Sequence, residues 1–290
     1  MAQLTAWVNG RFLPLEQATV HIEDRGFQFA DGVYEVIACF GGTFLELDAH
    51  LDRLERSCHA IRLQLPLTRE QLRQRILDTY QRNPFDDAML YIQVTRGRAA
   101  RAHLVTDHLT PTIVITARHL PMPSPAQIAQ GITAITLADI RWKHCEIKSI
   151  ALLASVLGKQ QAAEQHADEA FWRDSDGHIL EGCATNCFAL INGTLVTHPL
   201  DHQVLGGITR NLLLSLARAH QIPVEERPWQ LSESGLSECM ISSTTKAVMP
   251  VCRIDGQPVG DGKPGPVARD LRRWMLEQFH TMRHTGDSRA

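Results

Sequence analysis

Three prolines at alternate positions divide the chain into a shorter and a longer part. They are Pro121, Pro123 and Pro125, in the stretch HLPMPSPAQ. Proline lacks a backbone N–H and holds the preceding residue extended, so such a stretch fits inside neither a helix nor a sheet. The pattern predicts an interdomain linker at residues 121–126. The chain has 290 residues, enough for a core on each side of that linker.

The part before the linker, residues 1–120, mixes hairpin signals with helical spacing. Asn-Gly and Gly-Gly pairs each join two short apolar runs, as in β-hairpins. Leu51, Leu54 and Cys58 recur at the spacing of a helix face. Two β-branched runs predict strands. The predicted elements are hairpins with turns at Asn9-Gly10 and Gly41-Gly42, a helix from about Asp48, a second helix opening with a capping box at Thr68 and Gln71, and strands at 88–95 and 112–117.

The part after the linker, residues 127–284, also combines hairpins with helices rather than strictly alternating strand and helix. The whole chain is therefore predicted to be α+β, with two domains of mixed sheets and flanking helices. Residues 285–290 are expected to form a disordered tail. Predicted strands lie at 131–138, 168–173, 186–191, 194–197, 222–227, 239–243 and 247–254, and predicted helices at 150–166, from about 208, and at 266–282.

Composition excludes several classes of function. The formal charge is −3 without a basic stripe, so nucleic acid is not an expected partner. The N-terminus lacks the pattern of a signal peptide, and no apolar run approaches the ~20 residues that span a bilayer. The seven cysteines are scattered and form no metal-binding spacing with the fourteen histidines. We therefore expect no metal site, and free thiols in a reducing cytoplasm.

One lysine has an unusual setting in a chain that contains few lysines. Lys148 directly precedes the apolar run 150–157, and Ser149 is a suitable N-cap for a helix starting at Ile150. That helix is apolar nearly all round, so its start should be buried. A helix N-terminus and apolar packing would both lower the pKa of Lys148, as in nucleophilic lysines. The local pattern leaves open a lysine that merely extends to solvent.

Three further segments offer groups for a phosphorylated ligand with a ring nitrogen. In LEGCATNCF, Glu181 is either a carboxylate for that nitrogen or a solvated loop residue. VLGGITRN opens a helix with Thr209 in its first turn, which suits a phosphate. ISSTTKAV places consecutive hydroxyls at a strand end, as a second phosphate cradle or a simple turn. Together with Lys148, these are the groups that pyridoxal phosphate requires.

The motifs occur in the order found in the fold-type IV pyridoxal-phosphate enzymes. The chain resembles that family, and within it most closely the bacterial D-amino-acid transaminases (D-alanine aminotransferases). The resemblance extends from residue 23 to residue 256 and implies the family fold, pyridoxal 5'-phosphate as cofactor and a homodimer with shared active sites. The matching segments are EDRGFQFADGVYEV, HLDRL, YIQVTRG, ARAH, DIRWKHCEIKS, EGCATNCF, THP, LGGITR, SSTT and IDG.

The resemblance also implies roles for individual residues that bind the cofactor. Lys148 matches the lysine that holds the cofactor covalently and transfers the substrate proton. Glu181 matches the carboxylate paired with the ring nitrogen. Arg53, which the sequence alone would place on an exposed helix face, matches an arginine that binds the phosphate. The remaining cofactor contacts that it implies are Leu205 at the ring and Ile208, Thr209, Ser243 and Thr244 at the phosphate.

A smaller set of residues is implied in substrate binding. Arg101 and His103, in RAARAH, match the R-x-H pattern that holds the substrate carboxylate from the neighbouring subunit, and Tyr34 matches its third member. Arg98, in the same segment, could compete with Arg101. Without the family, both arginines would be interpreted as solvated loop charges.

The activity implied is amino transfer from D-amino acids such as D-alanine to 2-oxoglutarate, giving pyruvate and D-glutamate. A branched-chain L-amino-acid transaminase and an aminodeoxychorismate lyase share the fold and remain alternatives, although the R-x-H pattern argues against the first. A cofactor-binding protein without turnover, or a plain globular scaffold, are the non-enzymatic alternatives. The range of D-amino acids, activity on (R)-amines and the physiological direction stay open.

Overall fold

The structure, a computed structural model, describes residues 3–105 and 109–285, with the side chains of the last helix described to residue 281. Contacts divide the chain into two units. The first comprises Met1–Leu120, Ile147–Ala151 and the residues from Thr281 onwards, and the second comprises Pro121–Glu146 and Leu152–His280. Of the predicted disordered tail, Thr285 ends the last helix, and residues 286–290 lie outside the described part.

The first unit contains one antiparallel sheet of six strands, in the order β2-β1-β6-β5-β3-β4. Both predicted hairpins are confirmed. So is the capping box, in which Thr68 and Gln71 exchange hydrogen bonds of 2.9 and 3.2 Å. The elements are β1 (Thr5–Val8), β2 (Arg11–Pro14), α1 (Arg25–Phe29), β3 (Gly32–Phe40), β4 (Thr43–Phe44), α2 (Leu47–Ala60), α3 (Arg69–Gln81), β5 (Asp87–Thr95) and β6 (Thr112–His119).

The core of the first unit lies between this sheet and α2 and α3. Leu51, Leu54 and Cys58, the predicted inner face of α2, are buried there. Val33 and Ile37 project into the same core from β3, because alternate residues of a strand point to one side. The residue between them on that face is Glu35, which is fully buried.

The second unit contains a mixed sheet of nine strands. Its helices and strands are α4 (Pro125–Gln130), β7 (Ile132–Ala138), α5 (Leu153–Glu164), β8 (Glu169–Arg173), β9 (Ile179–Gly182), β10 (Asn186–Ile191), β11 (Thr194–Thr197), α6 (Ile208–Ala219), β12 (Val224–Glu226), β13 (Leu236–Ser243), β14 (Ala247–Ile254), β15 (Gln257–Pro258) and α7 (Pro266–Thr285). Mixed sheets with flanking helices confirm the predicted α+β class.

Six strands of the second unit form a closed ring. The order β12-β11-β10-β13-β14-β7-β8-β9 is completed by pairing of β9 with β10, where Glu181 lies opposite Asn186. The β7 strand is parallel to both neighbours, and most other pairs are antiparallel. The closure therefore puts one predicted site residue, Glu181, at the junction of two strands. Within the described residues, every helix is too short or too polar to cross a membrane.

The predicted linker differs from the structure at its C-terminal end. Residues 125 and 126 belong to α4, which Ser124 and Gln127 cap reciprocally. Pro125 is tolerated because the first residue of a helix has no intrahelical use for its N–H. The extended part is thus shorter than 121–126.

The helix predicted from Ile150 begins later, at Leu153, so Ser149 is not its N-cap. Residues 147–151 instead run beside β3. Ile150 N donates to Gly32 O at 3.1 Å, and Ser149 forms a β-bridge with Val33. Backbone groups used in this pairing are not available to a helix.

The start of α5 was also expected to be buried, and this is wrong. Leu153, Val156 and Leu157 are 71%, 61% and 52% exposed. Three large apolar side chains at i, i+3 and i+4 form a stripe on the surface of this unit. We call these three residues the α5 stripe.

Candidate active site

Lys148 is held in the first unit by its backbone. Its N–H donates to Ser57 Oγ of α2 at 3.2 Å, and its carbonyl accepts from Tyr34 N of β3 at 3.0 Å. Its Nζ lies 4.3 Å from the centre of the Tyr34 ring. The expected effect of a helix N-terminus on Lys148 is wrong, since α5 begins at residue 153. The Lys148 Nζ thus lies over an aromatic ring face, at a distance typical of a cation–π contact.

A buried charged cluster lies in the core of the first unit. Arg53 donates through Nε and Nη2 to the two carboxylate oxygens of Glu35, at 2.6 and 2.8 Å. His50 Nδ1 is 2.7 Å from Glu35 Oε2. All three side chains are buried. The interpretation of Arg53 as an exposed helix residue is therefore wrong, because the buried carboxylate draws it inwards.

The cluster carries a full charge pair. Burial alone would raise the pKa of Glu35, but hydrogen bonds from Arg53 and His50, and the charge of Arg53, hold it at about 2. Burial lowers the pKa of His50, against the opposing effect of Glu35, and the charges of Arg53 and Lys148 lower it further. Sequence reasoning missed Glu35 and His50. The available signal was a carboxylate on the apolar face of an alternating strand.

Arg101 and His103 lie around one aromatic ring, and both are exposed. The Arg101 guanidinium is 5.0 Å from the centre of the Phe29 ring, and the His103 ring centre is 5.4 Å from it. Arg25 fixes the backbone of this segment by donating to the carbonyls of Ala102 and His103. The two residues of the predicted R-x-H pattern therefore share one anchored loop.

Arg98 has a different partner from Arg101. Its Nε lies 3.3 Å from Glu23 Oε2, and both side chains are largely exposed. The backbone at Arg98 bridges to Asp24. Arg98 is thus engaged by an acidic residue of its own unit.

Glu181 is buried in the second unit, which excludes the solvated loop interpretation. Its carboxylate accepts from Arg141 Nη1, from Asn186 Nδ2 at 3.2 Å and from Leu205 N at 3.0 Å. Arg141 is itself held by Asp139 through two hydrogen bonds of 2.9 Å. Burial would lower the pKa of Arg141, but Asp139 and Glu181 raise it. Arg141 therefore stays ionised.

Sequence reasoning assigned no role to Arg141 or Asn186. Arg141 stands in the quoted segment DIRWKHCEIKS and Asn186 in EGCATNCF. Asn186 contacts Glu181 through the pairing of two strands, five residues apart in the sequence. Arg141 contacts Glu181 from 40 residues away. A buried carboxylate requires a charged or hydrogen-bonding partner. A prediction that Glu181 is buried would therefore have indicated that the sequence contains such a partner for it.

The first turn of α6 is a buried helix N-terminus. Ile208 and Thr209 are buried, and no side chain in the described part of the chain caps this end at Gly207. The first amides of a helix lack intrahelical partners, and a phosphate satisfies them well. Ser243 and Thr244 lie half-buried where β13 ends. A buried carboxylate, an uncapped helix start and a turn rich in hydroxyls fit the ring nitrogen and phosphate of pyridoxal phosphate.

Comparison with known proteins identifies the class. Residues 32–254 match the class IV amino-transferase family. The chain belongs to this family, as its mixed sheets and predicted site motifs indicated.

Within this family, the chain is similar to enzymes named D-alanine aminotransferase. The chain is 38% identical to the D-alanine aminotransferase of Listeria monocytogenes over 94% of this chain and 95% of the relative. It is 39% identical to that of Bacillus licheniformis, over 91% and 93%.

Among solved structures, the branched-chain amino acid aminotransferase of Escherichia coli superposes with a TM-score of 0.89 at 24% identity, over 96% and 95% of the two chains. The branched-chain enzyme of Thermobaculum terrenum, in its PLP-form, gives 0.84 at 25% identity, over 97% and 95%. The fold-type IV prediction is confirmed.

Proposed function

We propose that this protein is a pyridoxal-phosphate-dependent D-amino-acid transaminase. It transfers the amino group of D-amino acids such as D-alanine to 2-oxoglutarate and so produces pyruvate and D-glutamate. The observation that carries the proposal is the 38% identity to a D-alanine aminotransferase over almost the full length of both chains. The branched-chain structure from Escherichia coli, at 24% identity, supports the fold alone.

Pyridoxal phosphate, when bound, supplies a conjugated ring that accepts the electron pair left as the substrate Cα loses its proton. Lys148 Nζ holds the cofactor at rest. Once the substrate replaces it, the same amine takes the Cα proton as general base and delivers it as general acid to the C4′ atom of the cofactor, not back to Cα. Glu181 keeps a proton on the ring nitrogen, and Arg141 donates a hydrogen bond to the same carboxylate.

Other residues orient the cofactor. Leu205 packs against its ring. The phosphate is bound by the guanidinium of one arginine, the first amides and hydroxyl of α6, and hydroxyls at the end of β13. The residues with this phosphate-binding role are Arg53, Ile208, Thr209, Ser243 and Thr244.

The substrate carboxylate is bound by Arg101 and His103, with Tyr34 as the third member. The planar guanidinium of arginine meets a carboxylate through two parallel hydrogen bonds. The ion pair between Arg98 and Glu23 supports the choice of Arg101 over Arg98.

Two further properties belong to the proposal. The protein forms a homodimer in which Arg101 and His103 serve the neighbouring subunit, and the exposed α5 stripe supports a protein partner. The protein works in the cytoplasm, which the seven buried free cysteines support.

The substrate is tested by a paired assay of the purified protein with 2-oxoglutarate. We expect amino transfer from D-alanine and little from L-leucine. Activity with L-leucine alone would establish the branched-chain alternative. Pyruvate release from aminodeoxychorismate, without any amino acceptor, would establish the lyase.

The role of Lys148 is tested by borohydride reduction followed by peptide mapping. The cofactor should become fixed on Lys148, and Lys148→Ala should abolish amino transfer while the folded protein persists. Lys143→Ala, which changes an exposed lysine five residues earlier in the sequence, is the matched control and should still be labelled at residue 148. A colourless protein with no label on Lys148 would contradict the assignment.

Glu181→Gln tests the role of the ring-nitrogen carboxylate. A neutral amide cannot hold the proton on the ring nitrogen, so kcat should fall far more than cofactor affinity does. The measurement is steady-state kinetics beside a cofactor titration. An unchanged kcat would remove this role.

A further inference from the structure

Asn186 begins β10 at the position where the strand ring of the second unit closes. It lies directly opposite Glu181 of β9 and is buried. Side chains that lie opposite each other on paired strands project to the same side of the sheet. The amide of Asn186 therefore faces the carboxylate of Glu181.

The Asn186 side chain uses both of its donors. Its Nδ2 donates to Glu181 Oε2 at 3.2 Å and to Leu205 O at 2.8 Å. A side-chain amide has two N–H groups, so this donor capacity is complete. Leu205 N donates to the same Glu181 oxygen at 3.0 Å. Three hydrogen bonds thus join Asn186, Glu181 and Leu205 in a closed set.

The amide oxygen of Asn186 faces a second structure, the N-cap of α6. A Cβ added at Gly207 would lie 2.0 Å from Asn186 Oδ1. Backbone and amide can be this close only because residue 207 has no side chain. Gly207 O accepts from Asn211 N at 3.1 Å, a bond of the first turn of α6. Asn186 therefore contacts the strand carboxylate, the Leu205 loop and the helix start together.

We propose that Asn186 is a positioning residue, which fixes Glu181 and Leu205 relative to the N-terminus of α6. The inference rests on the proposed function, in which Glu181 meets the ring nitrogen and α6 binds the phosphate. Both groups belong to one small cofactor molecule, so the distance between them is confined to a narrow range. A residue that fixes Glu181 relative to the N-terminus of α6 therefore determines whether the ring nitrogen and the phosphate can bind their partners at the same time.

The chemistry of the side chain explains why an amide serves here. Aspartate has the same shape but donates no hydrogen bond, and would set a second negative charge against Glu181 and the carbonyl of Leu205. Asn186→Asp would therefore lose the hydrogen bonds to Glu181 and Leu205 and repel both acceptor oxygens. Loss of a hydrogen bond to a charged group costs on the order of 10- to 100-fold in an equilibrium.

The first test compares Asn186→Asp with Asn192→Asp, an exposed asparagine in the turn directly after the same strand. Each protein is stripped of cofactor and titrated with pyridoxal phosphate. We expect the affinity to fall by about 10- to 100-fold in Asn186→Asp and to stay near wild type in Asn192→Asp. The absorption band of the bound cofactor should change in Asn186→Asp alone.

The second test moves Asn186 without altering it. Gly207→Ala places a methyl group against Asn186 Oδ1, whereas Gly206→Ala meets only Leu200 methyl groups at 3.7 and 3.8 Å, an ordinary contact. We expect Gly207→Ala to weaken pyridoxal phosphate binding as Asn186→Asp does, and Gly206→Ala to weaken it much less. Equal effects of the two alanines would overturn the inference.

Melting temperatures separate positioning from plain stabilisation. Ligand binding raises the melting temperature according to affinity, so the increment caused by pyridoxal phosphate should shrink in Asn186→Asp. The inference would be overturned if Asn186→Asp lowered the melting temperature equally with and without pyridoxal phosphate and left the affinity and the absorption spectrum unchanged. If Asn186→Asp does not fold, Asn186→Ser, which keeps one donor, is measured instead. Wild-type protein that binds no pyridoxal phosphate would overturn the proposed function itself.

Discussion

Glu35 is a carboxylate inside an apolar core, and it shows how one residue determines the placement of others. A buried charge must be paired, because its removal from water is otherwise too costly. Arg53 and His50 of α2 provide that pairing. The helix thus turns one polar edge inwards beside Leu51 and Leu54. The orientation of Arg53, which we assign to the phosphate, follows from this carboxylate.

Glu35→Gln should destabilise the protein by about 3–5 kcal/mol at neutral pH, since it leaves the Arg53 charge buried without a counter-charge. Chemical denaturation measures the change. Glu55→Gln, an exposed position on α2, is the control and should stay within about 0.5 kcal/mol of wild type. Equal stability of Glu35→Gln and wild type would show that the pair contributes nothing.

The lowered pKa of Glu35 makes the stability of the protein depend on pH. The pKa of Glu35 in the folded protein, about 2, is below its ordinary value of 4.5. A lowered folded-state pKa stabilises the fold above the unfolded-state pKa, and this stabilisation is lost as pH falls from about 4.5 to about 2. The free energy of unfolding should therefore fall in this range for wild type, and less steeply for Glu35→Gln. Parallel pH profiles would contradict the prediction.

At the scale of the element, α5 is defined by two opposite faces. One face carries the exposed α5 stripe. The other contains Gly158, where an added Cβ would lie 2.7 Å from Cys183 Sγ and 2.9 Å from Trp172. The helix therefore packs on the sheet at a distance that only glycine permits.

Gly158→Ala should destabilise the protein by about 1–3 kcal/mol through overpacking, although alanine is favoured by about 1 kcal/mol over glycine in an exposed helix. Thermal and chemical unfolding provide the measurement. Gln161→Ala, exposed on the same helix, should change stability by less than about 0.5 kcal/mol. A gain in stability for Gly158→Ala would show that Trp172 and Cys183 move aside easily.

At the scale of the whole molecule, the α5 stripe bears on assembly. Three exposed apolar side chains in one helical row are costly in water unless a partner covers them. In the proposed homodimer, Val156→Asp should shift the equilibrium towards monomer at least tenfold, because a desolvated charge opposes association. Sedimentation velocity over a concentration series measures this. Gln161→Asp is the control, and a dimer unaffected by Val156→Asp would place the interface elsewhere.

The sequence predicted structure set by local contacts better than structure set by contacts between distant residues. The hairpin turns, the capping box of Thr68 and Gln71 and the inner face of α2 were predicted correctly, because each depends on residues a few positions apart. The start of α5 was predicted wrongly. Local pattern favours a helix from Ile150, but backbone pairing with Gly32 and Val33, more than a hundred residues earlier, competes and wins.

The sequence by itself determined the α+β class, the order of the motifs and hence the family, because these depend on residue types and local spacing. Only the tertiary structure decided that Arg53 is buried against Glu35, that Lys148 lies beside β3 and the Tyr34 ring, and that Asn186 joins Glu181 to the start of α6. The physical reason is common to all three. A buried polar group must find its partner in space, and the chain folding back on itself determines which residue that is.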